Sequence, residues 1–150
     1  KFLVMDTLLS PHFSLLELTS SPTATRRGID NTASPEIIQN LKLLCENILE
    51  PLRARLNEPI RITSGYRCEK LNKVIGGAKN SQHVLGQAVD FTVDSMSVED
   101  LFIFICNTNL QWSQCIREYS SWIHISYNGT PNREKLIAEK INSKTVYRKV

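Results

Sequence analysis

The chain has 150 residues, 41% of them hydrophobic and 22% charged, enough apolar material for one buried core and too much for a disordered polymer. Its formal charge of +3 and pI near 8.7 are mild; they favour approach to an anionic polymer. With no basic cluster interleaved with aromatics, they argue against nucleic acid as a partner.

No apolar run approaches the ~18–20 residues that span a membrane, and the run Phe2 to Met5 is too short for the core of a signal peptide. No internal repeat or low-complexity segment breaks the chain, so residues 1–150 read as one domain. The first third has a helical pattern. Arg26 to Ala33, with Gly28, Asp30 and Asn31, reads as a loop. Ser34-Pro35-Glu36 then supplies an N-cap, a proline at the first helical position and an early acid. Ile37, Leu41, Leu44 and Ile48 follow at helical spacing, which turns one stripe toward a core. Pro51 lacks an N–H and predicts a kink or an end near Leu49 or Glu50.

Pro59 to Thr63 alternates like a strand, and Ser64-Gly65-Tyr66-Arg67 turns out of it. Cys68 to Ile75 suits a short helix ending at Gly76-Gly77, and Ala88 to Val93 a second strand. Ser97-Val98-Glu99-Asp100 resembles a helix start, with the helix running on through Leu101 to Cys106. Gln114 to Glu118 and Trp122 to Tyr127 read as two strands joined by Tyr119-Ser120-Ser121. Leu136 to Ile141 and Thr145 to Tyr147 read as a last hairpin around Asn142-Ser143. Helices first and mostly antiparallel strands later define an α+β class.

The chemistry concentrates in two segments. Ser81-Gln82-His83-Val84-Leu85-Gly86-Gln87-Ala88-Val89-Asp90-Phe91 places a His and an Asp seven positions apart, and Trp122-Ile123-His124-Ile125-Ser126 sets a second His in an apolar strand. Asp90 sits between Val89 and Phe91, where an uncompensated carboxylate is costly. Taken singly, Asp90 also fits a turn cap, His83 a surface position and His124 a hydrogen-bonded core residue. Together, two His and one carboxylate are a ligand set for Zn2+ that leaves a fourth position open, the count of a catalytic site rather than a structural one. Cys45, Cys68, Cys106 and Cys115 are widely spaced with no C-x-x-C, which argues against a thiolate zinc site; they allow three disulfide connectivities or free buried thiols. His12, between Pro11 and Phe13, reads as a surface or capping residue.

The strings SGYRCEKLN, SQHVLGQAVDF and WIHIS resemble the zinc D-Ala-D-Ala carboxypeptidase family, peptidase family M15, of the subfamily A type. The resemblance extends back through FSLLELTSSPTA and forward through NREKL. It implies a Hedgehog/DD-peptidase-like fold, N-terminal helices on a mainly antiparallel sheet bearing a zinc cleft. It places the zinc ligands on His83, Asp90 and His124 and a substrate-binding or oxyanion-stabilising arginine on Arg67. Ser81, Tyr66 and Trp122 are further candidates to contact substrate. The general base departs from the family pattern: the acid found in some members three positions before the last His is here Ser121, and the His found in others two positions before it is here Trp122. Glu118, folded back by the predicted turn, is the candidate base. The implied activity is hydrolysis of peptide bonds in peptidoglycan stem peptides, as a carboxypeptidase or an endopeptidase. It would belong to a monomer acting on the bacterial cell envelope or encoded by a phage against the wall. The alternative is a catalytically weak or inactive, zinc-stabilised module that binds peptidoglycan.

Overall fold

A computed structural model describes residues 6–150, so the apolar run at 2–5 lies outside the described residues. A short hairpin, β1 (Leu8–Ser10) and β2 (Phe13–Ser14), leads into two brief helices, α1 (Leu15–Thr19) and α2 (Pro22–Arg27). Each helix is started by a serine: Ser14 accepts the N–H of Glu17, and Ser21 accepts that of Ala24 ahead of Pro22. His12 is exposed and its Nδ1 lies 2.8 Å from Glu50 Oε2.

The Ser34-Pro35-Glu36 start forms as read. Ser34 Oγ accepts the N–H of Ile37, and α3 runs over Pro35–Leu44. The chain stays helical through Pro51, but it changes its helical spacing at Leu49 and Glu50, where the proline signalled a kink or an end. A π-turn, Cys45–Leu49, takes over from α3, and α4 follows over Glu50–Leu56. The Glu50 N–H reaches back to the Cys45 carbonyl, one residue beyond the α-helical spacing. Pro51 therefore falls in the first turn of a re-registered helix, where a missing N–H removes no required bond. The rod stops at Asn57, which adopts the left-handed conformation.

The strands β3 (Arg61–Ser64), β4 (Ala88–Thr92), β5 (Gln114–Glu118), β6 (Trp122–Ser126), β7 (Glu134–Ile141) and β8 (Lys144–Lys149) form one six-stranded sheet in the order β3-β4-β6-β5-β7-β8. All pairings are antiparallel except β5–β7, which is parallel. The sheet is thus mixed, and the chain between Tyr127 and Arg133 must cross back before β7 can lie beside β5. The turn joining β7 to β8 holds Asn142 and Ser143, both at positive φ (51° and 65°), the geometry of a tight two-residue hairpin. Helix α5 (Glu69–Ile75) and a single 3₁₀ turn, Gln82–Leu85, lie between β3 and β4, and α6 (Val98–Cys106) between β4 and β5.

Strand alternation divides the sheet into two faces. Val89 and Phe91 of β4, Ile123 and Ile125 of β6 and Cys115 of β5 point toward the helices. They form one core with Leu41, Leu44, Ile48 and Leu52 of the α3–α4 rod and with Leu101 and Ile105 of α6. Trp112 closes this core at one end, with the Arg133 guanidinium 3.9 Å above its ring. All four cysteines are free; burial pushes the Cys45 thiol up to about 12. The alternate residues Asp90, His124 and Ile116 therefore face away from the core.

Phe91 is fully buried directly beside Asp90 in sequence. Phe91→Ala is expected to lower unfolding free energy by about 3–5 kcal/mol, read as a reduced denaturant midpoint at unchanged slope.

Candidate metal centre

The register places Asp90 opposite His124 and His124 opposite Ile116, so one row crosses β4, β6 and β5 on the face away from the helices. His83 reaches the same place from the 3₁₀ turn. Ser81 starts that turn by accepting the His83 backbone N–H at 3.2 Å, and Gly86, at φ 69°, ends it. One ligand atom from each of His83, Asp90 and His124 lies within 4.8 Å of the others, and all three residues are buried.

Outer hydrogen bonds decide which ring nitrogen faces inward. His83 Nδ1 lies 2.8 Å from the Gly65 carbonyl, an obligate acceptor, so Nδ1 carries the proton and Nε2 faces Asp90 Oδ1 at 3.2 Å. His124 Nε2 lies 2.8 Å from Gln82 Oε1, and its Nδ1 faces the same Asp90 oxygen at 3.1 Å. With the outer nitrogens as donors, neutral rings aim two lone pairs at a carboxylate oxygen. Three acceptors converging in a buried site repel one another until a cation stands between them. Burial pushes the Asp90 carboxyl up; where a ring turns an N–H toward it in the absence of a cation, the hydrogen bonds to His124 and His83 outweigh burial and hold the group well below the usual carboxylate range. Asp90 is therefore ionised and available as a ligand. The donor set fits a divalent metal ion.

Gly65 is required by space. A Cβ there would lie 2.1 Å from the Leu18 carbonyl oxygen, and the Tyr66 N–H donates to that oxygen at 2.8 Å. Asn31 locks the same loop, donating to the carbonyls of Thr19 and Tyr66 and accepting the Cys68 N–H. The His83 carbonyl in turn accepts the Arg67 N–H at 3.1 Å.

The centre lies in a cleft of about 910 Å³, whose lining includes Arg67, Ser81, Glu118 and Trp122. The Nε of Arg67 is buried and has no hydrogen-bond partner among the described residues. Glu118 pairs with Trp122 across the hairpin, two residues along β5 from Ile116, so it shares the cleft face. Burial raises its carboxyl above the ordinary value, and negative Asp90 adds to this while His124 partly offsets it. Tyr66 is placed differently from the other candidates: its side chain packs against the core and is not among the residues lining the cleft. Sequence reading missed Gln82, Gly65 and Asn31. Gln82 and Gly65 stand inside the quoted motifs, yet nothing in their identity marks them as the groups that hold the rings.

The fold and the donor set thus define a candidate metal centre carried on an α+β sheet. Residues 11–126 match the family model described as Peptidase M15. The chain belongs to peptidase family M15. A search of curated proteins finds no match.

Gln82→Ala removes the acceptor that orients His124. It is expected to weaken zinc binding roughly 10–100-fold, measured by competition with a chromogenic chelator, with Gln82→Glu retaining most of the affinity.

Proposed function

We propose that this M15 peptidase is a zinc metallopeptidase that hydrolyses peptide bonds in peptidoglycan stem peptides, with the cleft of a Hedgehog/DD-peptidase-like fold as its active site. One observation carries the metal reading: two imidazoles with their outer nitrogens already committed, converging with an ionised carboxylate in an open cleft. Bound by His83, Asp90 and His124, Zn2+ supplies Lewis acidity to the scissile carbonyl and acidifies water. The substrate class rests on the motifs SGYRC, SQHVLGQAVDF and WIHIS within the family match.

The remaining roles fall to residues around the donors. Glu118 is the general base. Its raised carboxyl brings it closer to the working pH, where a base is most effective. It takes a proton from the attacking water as the oxygen bonds to the carbonyl carbon, and delivers it to the amine nitrogen as the C–N bond breaks. Arg67 presents a desolvated guanidinium to the cleft, suited to a substrate carboxylate or to the developing oxyanion. Trp122 and Ser81 border the same space. The site of action follows as the bacterial cell wall, whether the chain is bacterial or phage-encoded.

The direct test is metal content paired with cleavage. Purified protein should contain one zinc per chain and release products from purified peptidoglycan; a chelator should abolish release and added zinc restore it. Zinc without cleavage of any wall type would favour the binding module, and a chain that takes up no zinc would overturn the reading. Glu118→Gln is expected to lower turnover 10²–10⁴-fold with zinc retained.

In metal-free protein the same variant should be more stable than wild type at pH 7. A folded-state carboxyl raised above its unfolded value favours folding at low pH and loses that contribution as pH rises through the folded value. The difference in Tm should therefore vanish on acidification below the ordinary glutamate range.

A further inference from the structure

The family match ends at residue 126, while the sheet continues through β7 and β8 over Glu134–Lys149. This hairpin attaches to β5, and its register carries the rows of the cleft face outward. The row of Asp90, His124 and Ile116 continues to Leu136 and then Lys149; the row of Trp122 and Glu118 continues to Ala138 and then Tyr147. Tyr147 and Lys149 thus share the face of the metal centre, roughly 7 Å apart by strand rise. Tyr147 lines the cleft beside Glu118 and Tyr119 and is 55% exposed, so its ring has surface left to cover. Its neighbour Tyr119 is held by Thr145 of the same strand at 2.6 Å.

The cleft does not end at the donors. A second cavity of about 590 Å³ adjoins it, and Gln82 and Gln114 line both. This extension lies toward the Ser126 end of β6, opposite to Trp122. Its lining is polar, including Ser113, Asn128, Asn132 and Lys149. The Lys149 ammonium makes no ion pair among the described residues. The donor group is therefore flanked by an aromatic wall on one side and a polar, lysine-bearing groove on the other.

From this we infer that β8 is the substrate-selecting wall of the cleft. Tyr147 and Lys149 contact a peptide that runs past the donor group on both sides, and the preferred substrate is one extended beyond the scissile bond in both directions, carrying a carboxylate toward Lys149. The inference rests on the proposed peptidase reading and deepens it toward endo-acting specificity.

The test separates binding from turnover. Zinc-loaded Glu118→Gln protein would be titrated calorimetrically with cross-linked muropeptides, which extend on both sides of a stem-peptide bond, and with the free pentapeptide. Wild type would be assayed for cleavage of both. The expected result is at least tenfold tighter binding of the cross-linked form, lowered threefold or more by Tyr147→Ala and by Lys149→Ala, with Tyr147→Phe close to the parent. Unchanged melting and zinc content in these exposed-strand variants would exclude misfolding. Equal binding of the two fragments, or affinity indifferent to both alanine variants, would overturn the wall. Selective, β8-dependent binding without cleavage by wild type would leave the wall standing and sink the peptidase reading; neither binding nor cleavage would sink both.

Discussion

The bond from His83 Nδ1 to the Gly65 carbonyl is the point on which the site depends, because it is the side-chain link that aims the His83 ring where three parts of the chain meet. The acceptor belongs to a loop that lies so close to Leu18 that only glycine fits at position 65. The donor belongs to a single 3₁₀ turn, an element too short to hold a position by its own hydrogen bonds. The ring is therefore placed by the N-terminal helices acting through a backbone carbonyl. With the proton on Nδ1, the neutral ring presents its Nε2 lone pair to the space beside Asp90.

His124 and Asp90 are held by a different constraint. Both lie on strands flanked by β3 and β5 in the sheet, and the residues on either side of each are buried in the core. A shift of either strand by one residue would expose Val89, Phe91, Ile123 and Ile125 and bury the donors among helices. Apolar packing thus fixes the register, and the register fixes where Asp90 and His124 stand. Buried, converging acceptors are unfavourable for the fold in isolation, so the core must supply the stability that the site costs.

How much of this was legible in the sequence depended on the range of the interaction involved. Ser34-Pro35-Glu36 announces a helix start because capping is local, and Asp90 and His124 stand out because polar groups in apolar strands demand a partner. The class, helices followed by a largely antiparallel sheet, was readable for the same reason. Pro51 marked the change in the helix at Leu49 and Glu50, but its form, a shift to π spacing, is not encoded by any local signal. The parallel pairing of β7 with β5 was invisible, since it is set by where a crossing segment lands rather than by the strands themselves. Tyr66 sits in a motif with Arg67, yet adjacent residues of an extended segment point opposite ways, and only Arg67 reaches the cleft. Gln82, Gly65 and Asn31 act through contacts 12 to 42 residues away in the chain, beyond any spacing rule.

The manner in which β7 and β8 join the sheet has a consequence for how such a protein can change. The donors and the groups that orient them all precede residue 127, and β6 is paired on both sides, with β4 and β5, without the hairpin. The hairpin adds to an outer edge by backbone bonds, which are indifferent to side-chain identity. Substitutions along β8 can therefore accumulate without disturbing the donors, and the connecting segment 127–133 can lengthen or shorten without shifting the central register. The donors and the outer hairpin thus occupy separately mutable stretches of the chain, an arrangement that lets the second drift while the first stays put.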